Sequence, residues 1–154
     1  MTLRVEVAHR FDGGMRRAAR QDGFALDVDF AAPAQGVTAL FGPSGSGKSS
    51  VLAAVAGLLR PQRGLVALGD AVLLDTVRGV FVPPEQRRCG VVFQDARLFP
   101  HMSVATNLRY GLARAPTQDG GPGFEEVVEL LGLAPLLQRR PRGLSGGERQ
   151  RVAL

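Results

Sequence analysis

The chain of 154 residues is 45% hydrophobic with a mean hydropathy of +0.04, so it can bury roughly two thirds of its unfolded surface as one domain and is not compositionally disordered. Its longest nearly unbroken apolar run, Val51 to Leu59, is far below the ~18 residues of a membrane span, the N-terminus MTLRVEVAHRF has no apolar signal core, and the lone Cys89 permits neither an internal disulfide nor a cysteine metal cluster. The formal charge of +5 is spread from Arg4 to Arg151 in pairs no longer than a solvated face carries, Arg87-Arg88 and Arg139-Arg140 among them, and 6% aromatic content offers no stacking platform for nucleic acid.

Leu3 to Ala8 and Phe24 to Phe30 alternate as strands do, joined by a Gly- and Arg-rich connection, and this predicts a strand pair. Val37 to Phe41 reads as a short buried strand leading into a glycine-rich segment. Beyond it Val51, Leu52, Val55, Leu58 and Leu59 fall at helical spacing, with Gly57 and Pro61 marking the end. Leu65 to Leu74 reads as further strand, PPEQRR as a turn, and Gly90 to Phe93 as a buried strand ending at Gln94. Met102 to Leu112 suits a helix, Ala115 to Gly123 a flexible loop, and Phe124, Val127, Val128 and Leu131 share one helical face.

The glycine-rich segment, GPSGSGKSS, carries the one lysine among 19 Lys and Arg residues. Its pattern, Gly42 to Gly47-Lys48-Ser49, lies between a predicted strand and a predicted helix, as a phosphate loop requires. Gly42, Gly45 and Gly47, with Pro43, Ser44 and Ser46 between them, let consecutive N–H groups curl inward around phosphate oxygens. The helix from Lys48, Ser49 and Ser50 adds its positive N-terminal end. A compact ammonium at Lys48 fits between β- and γ-phosphates where a broad guanidinium does not, and the Ser49 hydroxyl suits Mg²⁺. These residues point to ATP or GTP and leave the work done with it unspecified.

Two further stretches narrow the reading: VVFQDARLFPHMSV, Val91 to Val104, and LSGGERQRVAL, Leu144 to Leu154. With the phosphate loop they resemble the ATP-binding subunits of ABC transporters, whose phosphate loop, Q-loop and LSGGQ signature occur in this order, and the resemblance runs from about residue 3 to the last residue. FQDARLFPH followed by NLRYG, and LLGLAPLLQRRPRGLSGGERQRVAL, look most like the ATPases of molybdate importers. Ser145 and Glu148 also make a capping box for a helix start.

The resemblance implies an α/β fold: a P-loop, RecA-like core with an antiparallel β flank (residues 1–100), then a helical signature subdomain (101–154), truncated at the C-terminus. It implies ATP and Mg²⁺ as ligands, with Gln94 touching Mg²⁺ and positioning water, and Ser145, Gly146, Gly147 and Glu148 reaching the ATP of a second subunit in trans. Glu148 stands where many members carry glutamine. Phe11 best matches the family's adenine-stacking residue, with Phe24 as rival. Leu98, Phe99, Pro100 and Met102 become a docking surface for the membrane partner rather than core. The partners implied are a second ATPase subunit, membrane permease subunits and, indirectly, a periplasmic or extracellular binding protein, with the chain peripheral on the cytoplasmic face of the membrane.

The family's Asp-Glu strand end and later histidine have no counterpart after LSGGE. AVLLD, ending at Asp75, and VVFQD, ending at Asp95, precede the signature and lack the glutamate. The chain is therefore expected to be an N-terminal part, inactive alone in hydrolysis. Two rivals remain at this level: a small-molecule phosphotransferase using the same loop with Asp95 on Mg²⁺, and a nucleotide-binding fragment without turnover.

Overall fold

The computed structural model describes residues 1–11, 23–112 and 122–154. The described chain divides into two compact units, Met1–Gly90 and Val91–Leu154, a division that puts residues 91–100 with the helices. The connection after Phe11 and most of the loop expected at Ala115 to Gly123 lie outside the described residues.

In the first unit, β1 (Thr2–Arg10) and β2 (Ala25–Pro33) pair antiparallel in full register, Thr2 opposite Pro33 and Arg10 opposite Ala25. The expected run Leu65 to Leu74 is two strands, β3 (Arg63–Leu68) and β4 (Ala71–Asp75), because Gly69 at φ +55 reverses the chain between them. With β5 (Val80–Phe81) they form one antiparallel sheet in the order β2-β1-β3-β4-β5. Asp75 accepts the N–H groups of Val77 and Arg78 at 2.9 and 3.0 Å, an Asx turn that starts the link to β5.

One helix, α1 (Lys48–Val55), covers this sheet. Its Val51 and Ala54 are buried with Val5, Val7, Leu26, Val66 and Leu74. Alternation along β1 sends Val5 and Val7 inward, and each such burial contributes about 1.5–3 kcal/mol. α1 stops short of Leu59, because Gly57 takes φ +80, and Leu52 and Leu58 remain exposed.

Two expected strands are corrected. Val37 to Phe41 and Gly90 to Phe93 are irregular and unpaired with the sheet, and Val37 and Phe41 are 99% and 103% exposed. Apolar runs become strands only where a neighbour takes their backbone hydrogen bonds, and no described strand lies alongside either run.

The second unit is helical: α2 (Val104–Leu112), α3 (Phe124–Leu130) and α4 (Gly146–Ala153), with single 3₁₀ turns at Ala134–Leu136 and Pro141–Gly143. Its core is Val104, Val128, Leu133, Leu136, Leu144 and Val152. The first amides of α2 are taken by carbonyls just after the Ala134–Leu136 turn, Val104 N–H by Arg139 and Ala105 N–H by Leu137, both at 2.9 Å. No described helix is long and apolar enough to cross a membrane.

Candidate functional site

The loop Gly42–Gly47 is exposed from Pro43 to Ser46 and ends at the half-buried Gly47, whose φ of +91 puts it in the left-handed region at the N-cap of α1. A side chain there meets more than strain, since a Cβ would lie 2.8 Å from Leu26 Cδ1 and 2.9 Å from Phe24 Cζ. Glycine is required on both counts. The loop closes on itself through Ser46 N–H to Pro43 O at 3.3 Å, and Gly47 O receives the N–H groups of Ser50 and Val51 at 2.9 and 3.0 Å.

Among the described residues, the N–H groups of Gly45, Gly47, Lys48 and Ser49 find no acceptor. α1 has no side-chain cap and no acidic residue in its first turn. Four donors thus gather at the positive end of a helix with no described residue to answer them, which suits an anion with several acceptor oxygens. Lys48 Nζ is folded across the same loop, donating to Gly42 O at 2.9 Å, Pro43 O at 2.7 Å and Ser46 Oγ at 3.4 Å. The ammonium is anchored on loop carbonyls, where it can exchange them for phosphate oxygens. The Ser49 hydroxyl is exposed and has no hydrogen-bond partner among the described residues, so the donor set fits a hard cation held through oxygen.

Phe11 and its rival Phe24 are one aromatic pair, with ring centroids 5.7 Å apart and Phe11 N–H bonded to Phe24 O at 2.9 Å. His9 stands edge-on to Phe11 at 4.4 Å. Phe11 is half-buried against the core, whereas Phe24 is 41% exposed and touches the loop at Gly47.

In the second unit, Gln94 is an exposed loop residue and not a strand end. It lines a cleft of about 500 Å³ with Asp95, Arg97, Arg142, Gly146 and Arg149, so Gln94 and the start of α4 border the same cleft. Arg97 takes φ +45, unusual for a non-glycine residue, and its guanidinium lies 3.9 Å from the Phe93 ring centroid. Leu98 packs on the helical core, which corrects its reading as docking surface rather than core, while Met102 is half-buried and Phe99 and Pro100 are exposed. Asn107 fixes this loop: Oδ1 accepts Phe99 N–H at 2.7 Å, and Nδ2 donates to Phe99 O and Ser103 O at 3.2 and 2.9 Å. Nothing in NLRYG announces that role, because the partners are backbone groups.

Ser145 is the N-cap of α4, and the capping box with Glu148 is formed as the sequence predicts. Gly146 and Gly147 are exposed, and apart from their chain neighbours and the helix's own backbone no described atom lies within 4 Å of a Cβ built on either.

A family model described as ABC transporter matches residues 25–154. The chain belongs to the ABC transporter family. It is 49% identical over its whole length to the molybdenum import ATP-binding protein ModC of Mesorhizobium japonicum, covering 39% of that protein. To ModC of Brucella melitensis it is 55% identical over 136 residues, 88% of this chain and 37% of that one. The chain thus spans about two fifths of the length of these curated relatives. Among solved structures, a dimeric bacterial ABC transporter cassette superposes with a TM-score of 0.68 at 25% identity, over 99% of this chain and 67% of that one. An ATP-binding cassette dimer in a post-hydrolysis state, bound to ADP and Pi, gives the same TM-score at 24% identity over the same shares. The ABC ATPase fold accounts for the sheet, α1 and the helical unit together.

Proposed function

We propose that this chain is the nucleotide-binding part of an ABC importer ATPase that couples ATP hydrolysis to uptake of molybdate or another oxyanion. The observation that carries the nucleotide reading is the cluster of unanswered amides from Gly45 to Ser49 beside the Lys48 ammonium. Phosphate oxygens of ATP are its natural occupants: backbone donors and the helix end hold the charge, and Lys48 adds a point charge between phosphates. Pro43, Ser44, Ser46 and Ser50 shape the loop. Mg²⁺, when bound, neutralises charge shared by the terminal phosphates, and the Ser49 hydroxyl would hold it. Phe11, alongside Phe24, offers the adenine a ring face.

The second half of the site is the N-terminus of α4. Ser145, Gly146, Gly147 and Glu148 are proposed to meet the ATP held by a second subunit, so that two chains enclose nucleotide between them. The open surface at Gly146 and Gly147 supports this, because backbone can approach a phosphate there without a side chain intervening. Permease subunits are proposed to dock at the Gln94–Met102 loop, which Asn107 holds in shape, with the chain peripheral on the cytoplasmic membrane face and a substrate-binding protein acting across the membrane. The oxyanion assignment is supported by the molybdenum import relatives alone.

Calorimetric titration of the purified chain with MgATP tests the nucleotide part of this reading: a folded chain that takes up no MgATP contradicts it. Restored molybdate uptake by cells that make the whole subunit in place of their own importer ATPase tests the cargo, and its absence with working permease subunits removes the oxyanion assignment.

A further inference from the structure

The phosphate loop is only as well placed as α1, and α1 is weakly specified by itself. It has eight residues, no side-chain cap at its start and no basic residue in its last turn, so isolated it has little stability. What finishes it comes from elsewhere in the chain. Arg87, expected in a solvated pair with Arg88, is 5% exposed. Its Nη1 donates to Ala54 O and Val55 O, both at 2.8 Å, and its Nε donates to Val82 O at 2.7 Å.

The guanidinium is thus a bridge. On one side it answers the last carbonyls of α1, where the negative end of the helix favours a cation. On the other it is tied to the segment leaving β5, with its Cζ 5.1 Å from the ring centroid of Phe81, a residue paired to Leu74 in the sheet. Gly57 makes room for it: a Cβ there would lie 2.6 Å from Nε. Nη2 is buried with no hydrogen-bond partner among the described residues, and burial lowers the proton affinity of the group. An apolar side chain at this spot avoids both penalties, so stability alone is a poor reason for a buried cation.

Resting on the nucleotide-binding reading above, we infer that Arg87 is a positioning residue for nucleotide binding: by locking the C-terminal end of α1 to the sheet, it fixes the direction in which Lys48 and the Ser49 amide are presented. The helix is about 12 Å long, so a tilt at its far end displaces the amides at its near end. A planar fork reaches α1 and Val82 at once, and a lysine has a single point of attachment.

The test is calorimetric titration of the whole chain with MgATP. Arg87→Leu is expected to raise the Kd about five- to tenfold, within the range of coupling seen through packed networks, and Arg87→Lys to restore part of the loss. Thr76→Val supplies the stability control. It breaks the two Thr76–Gly64 hydrogen bonds in the same unit, between residues that Arg87 does not bond, and is expected to lower the unfolding midpoint and leave the Kd unchanged. An Arg87→Leu protein that is folded by circular dichroism and binds MgATP like the parent overturns the inference. So does a Thr76→Val protein of matched stability that loses as much affinity. If the leucine variant does not fold, Arg87→Lys decides: a Kd equal to the parent's overturns the inference, and a raised one supports it. A parent chain that ignores MgATP removes the nucleotide reading and this inference with it, whereas a parent that binds and loses affinity on Lys48→Ala leaves only Arg87 in question.

Discussion

The carboxylate of Glu148 accepts the backbone N–H of Ser145 at 2.6 Å, and the Ser145 hydroxyl accepts the N–H of Glu148 at 3.2 Å, so each residue answers the other's free donor. The hydrogen bond from the Ser145 backbone holds the Glu148 carboxyl below its ordinary 4.5, with the Ser145 side chain, Arg139 and Arg151 helping less. A depressed carboxyl stabilises the fold above its unfolded value, and that contribution is lost as pH falls through the lower folded value. The first turn of α4 should therefore loosen on acidification below about 4.5. Glutamine at this position keeps the box and removes the titration. Amide shifts of Gly146 to Glu148, followed by NMR against pH, are expected to move at low pH in the parent chain and stay flat in Glu148→Gln. Equal curves for both contradict the assignment.

Gly47→Ala combines a left-handed backbone with a collision against Leu26 and Phe24. A loss of about 1–3 kcal/mol in urea unfolding is expected, and nucleotide affinity should fall with it because the amides of Lys48 and Ser49 follow the same turn. An alanine variant as stable as the parent would show that the turn tolerates a side chain.

Asn107→Ala removes one acceptor and the Nδ2 donors that hold the Gln94–Met102 loop to α2. The cost expected is about 1–3 kcal/mol, and hydrogen exchange at the Phe99 amide should accelerate while the interior amides of α2 keep their protection. Unchanged exchange at Phe99 would mean that the loop is held by other contacts.

Leu133 is fully buried in the helical core. Its truncation to alanine should destabilise the second unit by about 2–5 kcal/mol, depending on how far Val128 and Leu136 close the cavity. Urea unfolding followed by circular dichroism reads this directly.

Local pattern was enough for most of the architecture. Alternation located β1 and β2, helical spacing located α1, α2 and α3, and the Ser145–Glu148 spacing found the capping box, because each depends on residues close in sequence. Two features escaped. Val37 to Phe41 and Gly90 to Phe93 have strand composition, yet a strand exists only with a partner, and hydrophobicity does not say whether one is there. Arg87 looks like Arg88 in PPEQRR, and only the carbonyls of Ala54 and Val55 at the end of α1, more than thirty residues earlier, distinguish the buried cation from the exposed one. Contacts of side chains with distant backbone leave no local signature.

The direct measurement of the central claim is calorimetric titration of the purified, folded chain with MgATP, alone and as Lys48→Ala. Saturable binding in the parent, weakened at least about tenfold by the loss of one charge-assisted partner, is the expected result. A folded parent chain that takes up no MgATP, or a Lys48→Ala chain that binds it equally well, contradicts the claim that the Gly42–Ser49 loop is a nucleotide site.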